Sequence, residues 1–324
     1  MKSAIEVLDA FENIRRAQRA GIYAPHKPLL ILLALSRVQR GEQRLVSFAA
    51  VDQQLKQLLA EFGPSSAAKS RHYPFWHLAT DGRGALWELT GPREFLKRAA
   101  GHTPGLTELR KHEVKGGFRL DVDEALRHQP GLLQAVASRL LDAYFPSTLH
   151  ADIVASLGLD LDGPGEVREA RLLAGIDTST SRRRRDPGFR ERVLRAYEYR
   201  CCVCGFDLRI GLTPAGLEAA HIQWHHVGGP DIEPNGLSLC ALHHKLFDLG
   251  AFTVEPSEHR LVFSQLAISG SRGMGGELQF HGRTILPPQH PDLLPAPEFL
   301  AWNVTNVFKK PARRPSALTA LAAR

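Results

Sequence analysis

Three of the four cysteines in this 324-residue chain, Cys201, Cys202 and Cys204, fall within four positions. The fourth, Cys240, opens the stretch "CALHH", where His243 and His244 follow. Cysteines that brace a fold through disulfides are spread along it, whereas a CxxC pair followed by a CxxH pair has the spacing of a metal knuckle. Cys201, Cys204, Cys240 and His243 therefore predict a structural Zn²⁺ site, since zinc takes four thiolate and imidazole donors in a tetrahedron. Bound metal would stabilise a unit whose own core is small. Cys202 is the odd thiol and should point away if both its neighbours bind. His244 is left over, on another face of the same helical turn.

Length and charge bound the rest. A chain of this length predicts two domains. The formal net charge of +7 suits a polyanionic partner, of which nucleic acid is the commonest, and suits equally a basic protein with none. The longest apolar run, "PLLILLALSRV" from Pro28, is too short to span a membrane, so no membrane partner is expected. The first residues carry Glu6, Asp9 and Glu12 and no apolar export core, which makes cytoplasmic the expected location.

Apolar spacing predicts an amphipathic helix over 3–20, broken by Gly21, a second from Pro28 to about Gln39, and a third over 48–62. Within 71–90, two short apolar runs flank "DGRG", which predicts a hairpin. Helix is expected again over 92–100, then a hairpin or loop at "KGGF", then a closing helix that ends near Phe145. This mixture predicts an α+β domain over residues 1–160. Residues 161–188 read as a basic linker. Residues 189–308 predict a second domain: a helix, two short strands around 206–222, the helix bearing His243, short strands at "AFTV" and "HRLVFSQ", and a last helix at "EFLAWNVTNVF" packed back on the core. Residues 309–324 read as a frayed basic tail.

Between the two metal pairs lies "LEAAHIQWHHVGGPDIEPNGLSLC". His221 closes an expected strand, and Asn235 and His244 follow 14 and 23 positions on. Framed by CxxC and CxxH, these three resemble the signature of HNH endonucleases and their ββα-metal finger, over about 65 residues. The stretch "AAHI…GGP…NGLSLCALHHKLFD" is similar to the restriction-type branch of that superfamily. The resemblance implies that His221 is a general base, taking a proton from water so that hydroxide attacks phosphorus, a task that suits a neutral imidazole. It implies that Asn235 orients the His221 ring and holds the loop. It implies that His244 ligates a catalytic Mg²⁺ or Mn²⁺, which would stabilise the pentavalent phosphorane and the leaving 3′ oxygen. Many members of the family carry an acidic ligand just before the first histidine, where this chain has Ala220. Asp248, Glu218 or His225 could replace it; Asp248, one turn past His244 and on the same side, is preferred. His225 and His226 read otherwise as ordinary loop histidines. Beside a nuclease, Arg182, Arg183, Arg184 and Arg185 read as phosphate contacts rather than as a solvated tether.

HNH fingers cut with little choice of sequence, so a reader is expected in the first domain. "YAPHKPLLILLAL", then "RHYPFWHL" and "LWEL", resemble the sulfur-binding domain of type IV restriction enzymes that recognise phosphorothioated DNA, in which sulfur replaces a non-bridging phosphate oxygen. The resemblance covers roughly residues 1–160. Sulfur is larger and less hydrated than oxygen, so an apolar cup accepts it at small desolvation cost and rejects the charged oxygen. The resemblance implies Tyr73 and Pro74 as the cup, and His26 and Lys27 as the basic pair that grips the modified phosphate. His77 stands where the family often has alanine; it would narrow the cup or bend over its rim. Arg71 is expected to add a contact, and the backbone at Lys115 and Gly116 to approach a groove, which glycine permits. Without the resemblance, "HYPFWH" reads as core and "HKPLLILL" as a buried helix with a basic first turn.

Three functions are compatible with these residues. One is a modification-dependent endonuclease on double-stranded, phosphorothioated DNA, expected to be a homodimer because one finger cuts one strand. Another is an HNH endonuclease whose first domain reads sequence or methylated bases. The last is a non-catalytic zinc-knuckle DNA-binding protein, for which Ala220 is the best argument.

Overall fold

The computed structural model describes residues 2–12, 14, 24–161, 186–269 and 276–314. The described residues fall into two compact units, one over residues up to 161 and one from 186 onward. Arg182, Arg183, Arg184 and Arg185 lie outside the described residues, with most of the expected linker. Each unit combines helices with small antiparallel sheets, the α+β class expected. Among the described residues no helix is long and apolar enough to cross a membrane.

In the first unit, α1 (Ala4–Glu12) covers the start of the helix expected over 3–20, and residues 15–23 lie outside the described residues. Helix α2 (His26–Gln39) buries residues on every face: Leu29, Leu30, Ile31, Leu32, Leu33 and Leu35 are each at most 1% exposed. Such a helix belongs at the centre of a core. Pro28 fits its first turn, where a missing N–H breaks no helical bond. After β1 (Val46–Ser47), the Ser47 hydroxyl accepts from the Ala50 N–H at 3.3 Å and caps α3 (Phe48–Phe62).

The hairpin expected over 71–90 is not formed. Helix α4 (His72–His77) runs into a 3₁₀ stretch, Leu78–Gly84, that contains "DGRG", and only β2 (Trp87–Thr90) is strand. The cause is tertiary. Asp81 is drawn inside to pair with Lys27 at 2.6 Å, and β2 pairs with β3 (Lys115–Phe118), Trp87 opposite Phe118 and Thr90 opposite Lys115. "KGGF", expected as a hairpin or loop, is thus the central strand of the order β1-β3-β2. Its glycines are required by closeness: a Cβ on Gly116 would meet the Phe75 ring at 2.8 Å, and one on Gly117 the Arg44 carbonyl oxygen at 2.0 Å. Phe48, Phe75, Trp87, Phe118 and Phe11 pack edge to face in sequence, with centroids 5.1, 5.9, 5.6 and 5.7 Å apart.

Helices α5 (Arg93–Arg98) and α6 (Leu106–Lys111) join β2 to β3, and α7 (Leu120–His128) and α8 (Leu132–Tyr144) follow. The helix expected to close the domain near Phe145 does not: Pro146 interrupts it, and α9 (Ser147–Leu157) continues with Leu149, Ile153 and Leu157 buried.

In the second unit, α10 (Phe189–Ala196) leads to the cysteine knuckle, and β4 (Arg209–Ile210) with β5 (Thr213–Pro214) forms a short hairpin. Strands β6 (Leu217–His221) and β7 (Gly236–Cys240) pair antiparallel, with Leu217 opposite Cys240 and His221 opposite Gly236. β7 runs straight into α11 (Ala241–Asp248), completing a ββα finger. Gly236 lets α10 close on the hairpin, since a Cβ there would lie 2.4 Å from the Val193 Cγ2. Strands β8 (Phe252–Val254) and β9 (Leu261–Phe263) pair beside it, and α12 (Pro297–Asn306) inserts Leu300 into the shared core.

Of the expected tail, residues 309–314 are described and are held by backbone bonds, and 315–324 lie outside the described residues. The N–H groups of Lys309, Gln265 and Arg313 donate to the carbonyls of Gly250, Pro311 and Phe263 at 3.0, 2.9 and 2.8 Å. Residues 309–313 thus use backbone groups that the adjoining sheet leaves open.

Candidate metal centre and nuclease site

α10 ends in two left-handed residues, Glu198 (φ 54°) and Tyr199 (φ 56°), which swing the chain into the knuckle. There the Cys201 N–H donates to the Phe206 carbonyl at 2.9 Å, and the Cys202 N–H to the Ser238 carbonyl on β7 at 2.8 Å. The latter bond fastens the knuckle to the finger. One donor atom each from Cys201, Cys204, Cys240 and His243 lies within 4.8 Å of all the others. His243 offers Nδ1, 3.6 Å from the Cys201 Sγ and 3.2 Å from the Cys240 Sγ. Its Nε2 stands 2.6 Å from the Glu277 carboxylate. Contact with Cys201, together with burial, pushes the Cys240 thiol up to about 11. Cys202 is turned into the apolar core, where burial pushes its thiol well up.

The β6–β7 register leaves the His221 ring stacked on Phe189 at 4.1 Å and 21°. Its Nε2 lies 2.7 Å from the Asp231 Oδ1, while the Asp231 Oδ2 accepts from the Asp186 N–H at 2.8 Å and lies 3.6 Å from the His225 Nε2. Burial would raise the Asp231 carboxyl, but the Asp186 N–H and the two histidines hold it below its ordinary value. An anionic acceptor at Nε2 draws the proton of a neutral ring there and leaves Nδ1 with the lone pair. Asn235, expected to orient this ring and hold the loop, accepts from the Ile222 N–H beside His221 at its backbone carbonyl, at 2.9 Å, and turns its side chain to the loop. Its Oδ1 accepts from the Gln223 N–H at 2.8 Å, and its Nδ2 donates to the carbonyls of Gln223 and Pro230 at 3.0 and 2.9 Å. Asn235 ties the loop, and Asp231 contacts the ring. Asp231 was visible in "GGPD", but nothing in its spacing says that the loop returns to His221.

His244 lies between two carboxylates at opposite edges of its ring: Nδ1 is 2.5 Å from the Glu218 Oε2, and Nε2 is 3.3 Å from the Asp248 Oδ2. Burial would lower this imidazole, but Asp248 and Glu218 together raise it to about 9. The carboxylates differ in setting. The Asp248 side chain is 2% exposed and accepts from the Trp224 Nε1 at 2.8 Å; that of Glu218 is 45% exposed. Glu218 shares a face of β6 with Ala220, two residues on. The structure thus gathers Glu218 and Asp248 at His244 and places His225 beside Asp231 instead. No ion needs to be present for the fit of the two sets to differ: three thiols and an imidazole suit zinc, and a carboxylate beside an imidazole suits a harder divalent cation.

In the first unit, Tyr73 is 48% exposed and stacks on His77 at 5.9 Å and 15°, and the His77 Nε2 is 2.8 Å from the Thr103 hydroxyl. Pro74, the next residue, is buried. Lys115 is exposed. Other expected DNA contacts are engaged internally. The His26 Nε2 bonds the Ala67 carbonyl at 2.9 Å, and Lys27 is held by Asp81. Arg71 is buried with its fork on Asp52, which also receives Arg110. Gly116 is buried too, because the space its missing side chain leaves is filled by Phe75 and Trp87. Arg71 and Gly116 are therefore framework rather than surface, a correction that follows from their partners inside the unit.

The first unit thus presents an exposed aromatic side chain, and the second a ββα finger with a thiol-rich quartet able to hold a metal. Residues 4–162 match the family described as ScoMcrA-like, DNA sulfur-binding domain, and residues 201–255 match the HNH endonuclease family. The chain accordingly joins a ScoMcrA-like DNA sulfur-binding domain to an HNH endonuclease domain. Among solved structures, it is similar to the sulfur-binding domain of ScoMcrA complexed with phosphorothioated DNA, at 25% identity over 49% of this chain and 96% of that one, with a TM-score of 0.38. The corresponding SprMcrA complex is 23% identical over 49% and 95%, with a TM-score of 0.39. The type IV phosphorothioation-dependent restriction endonuclease ScoMcrA is 24% identical over 48% of this chain and 34% of that one, with a TM-score of 0.38. No curated protein matches the chain.

Proposed function

We propose that this chain is a modification-dependent restriction endonuclease: the first unit binds phosphorothioated double-stranded DNA, and the second hydrolyses nearby phosphodiester bonds. The observation that carries this reading is the union, in one chain, of a DNA sulfur-binding domain with an HNH finger. Tyr73 and His77 present the aromatic face to the sulfur and Lys115 flanks the phosphate, while His26 and Lys27 would reach it only by exchanging their bonds to the Ala67 carbonyl and Asp81. The weak hydration of sulfur makes such a face selective.

In the finger, Cys201, Cys204, Cys240 and His243 hold a structural Zn²⁺, all four positions being filled by protein. His221, with Nε2 committed to Asp231, takes the proton of the attacking water at Nδ1. The imidazolium so formed is stabilised by Asp231. A new O–P bond forms as the P–O3′ bond breaks. Glu218 and the Nδ1 edge of His244 hold Mg²⁺ or Mn²⁺, which when bound supplies positive charge against the charge that develops on the phosphate oxygens. Asp248, expected as that ligand, instead fixes the ring from its buried edge, and Glu218 takes the part of the acid missing at Ala220. Asn235 keeps the loop of Asp231 in place. The arginines of 182–185 contact backbone phosphates, and two chains act together to cut both strands.

The test is binding and cleavage by the full-length chain, at one fixed salt concentration, of duplexes with and without a single phosphorothioate. A preference of about ten-fold or more for sulfur, lost in Tyr73→Ala, is expected. Equal affinities would remove the sulfur reading, and undiminished cleavage by His221→Ala would remove the assigned base.

A further inference from the structure

The β4–β5 hairpin projects an apolar tip that the fold itself does not use. Leu208, Ile210 and Leu212 are 58%, 76% and 94% exposed, and Phe206 and Leu286 beside them 38% and 41%. Ile210 and Arg209 point to opposite faces of the strand, the Arg209 guanidinium lying 5.0 Å above the Tyr199 ring. Ile210 pairs with Thr213, so Gly211 and Leu212 alone form the tip, and the positive φ of Gly211 (61°) makes so tight a turn possible. Contiguous exposed apolar side chains of this kind mark a binding surface.

We infer that this hairpin is a wedge for duplex DNA, with Leu212 entering between two stacked bases close to the scissile phosphate. The inference rests on the nuclease reading. Three observations favour DNA as the occupant. First, the hairpin is continuous with the catalytic elements: only Ala215 and Gly216 separate β5 from β6, and the Ala241 N–H that opens α11 donates to the Gly216 carbonyl at 3.0 Å. Whatever phosphodiester reaches Glu218 and His244 therefore brings its duplex up to the hairpin. Second, the tip residues 210–213 carry no charge, and Arg209 offsets the exposed Asp207 at the base of the hairpin, so the tip itself sets no charge against the phosphates. Third, a face a few side chains wide falls well short of the roughly 800 Å² that each partner of a stable dimer buries, which argues against a second copy of the chain. Apolar side chains that unstack a base step from the minor groove are an established means of bending DNA, and such a bend would open the backbone to the finger.

The test uses the full-length protein with its zinc, without added Mg²⁺ or Mn²⁺, and a series of phosphorothioated duplexes in which 2-aminopurine is stepped along one strand. Binding by the unaltered chain should raise the fluorescence at one or two adjacent positions, as unstacking requires. Leu212→Ala, at a site exposed enough to leave melting and zinc content unchanged, should lose that rise and weaken binding about ten-fold. A duplex that is bound with no rise at any position, or with the same rise in Leu212→Ala, overturns the wedge and leaves the nuclease reading standing. Conversion of a DNA-free dimer into a monomer by Leu212→Asp, seen by sedimentation, also overturns it and assigns the tip to a second copy. A chain that binds no duplex at all overturns both readings.

Discussion

The Nε2 of His221 and the Oδ1 of Asp231 stand 2.7 Å apart, across a loop that Asn235 ties shut. An aspartate there fixes the tautomer of the ring and balances the charge it gains. Asp231→Asn should lower kcat about 10²-fold with little change in KM, since positioned general-base catalysis is worth about 10²–10⁴. Single-turnover cleavage measures it. A loss confined to KM would mean that Asp231 serves binding instead.

The two carboxylates around His244 should separate by role. Glu218→Gln should raise the Mg²⁺ or Mn²⁺ concentration for half-maximal cleavage at least about ten-fold and leave folding intact, because that side chain is half exposed. Asp248→Asn should lower the stability of the second unit by about 2 kcal/mol, because its buried oxygens receive both Trp224 and His244. Metal titrations and melting curves on the two variants decide between ligand and orienting partner.

Removing zinc should unfold the second unit while the first still melts cooperatively. Cys204→Ser or a strong chelator should do this, structural zinc being worth on the order of 10 kcal/mol in small knuckles. Cys202→Ala should retain the metal and cost about 1 kcal/mol, since this thiol faces the core. Metal content and far-ultraviolet circular dichroism report both.

Gly117→Ala should destabilise the first unit by about 3 kcal/mol or prevent its folding, because the new Cβ would lie 2.0 Å from the Arg44 carbonyl oxygen, a backbone atom. Thermal melting of the variant checks this, and Gly101→Ala, where a Cβ would meet nothing within 4 Å, is the control.

Acid should weaken the first unit through Asp52. Burial would raise its carboxyl, but hydrogen bonds from Arg71 and Arg110 bring it below the ordinary value. The stability it contributes is therefore complete above the unfolded pKa of about 4 and is lost as pH falls through the lower folded value. Asp52→Asn should flatten this acid dependence of the melting temperature and lower stability at neutral pH.

Several features were legible because they are local. The helix over 48–62 was read to the residue, since Phe48, Val51, Leu55, Leu58 and Phe62 repeat at helical spacing behind a serine cap. The "DGRG" stretch misled because a hairpin signal describes a turn's preference and not its partner: β2 pairs across α5 and α6 with "KGGF", whose glycines looked like loop. Asp231 was missed for the same kind of reason, since the nine residues of loop between it and His221 give no sign of where the chain returns.

The chain by itself determined the metal quartet, the ββα finger and the buried central helix. Ligand spacing and apolar period act over a few residues, where chain geometry leaves little freedom. Only the tertiary structure decided which carboxylate meets which histidine, that Arg71 and Gly116 belong to the interior, and that Leu212 stands in solvent. Those facts depend on how loops close and on which surfaces come to cover one another, and contacts between distant segments set both.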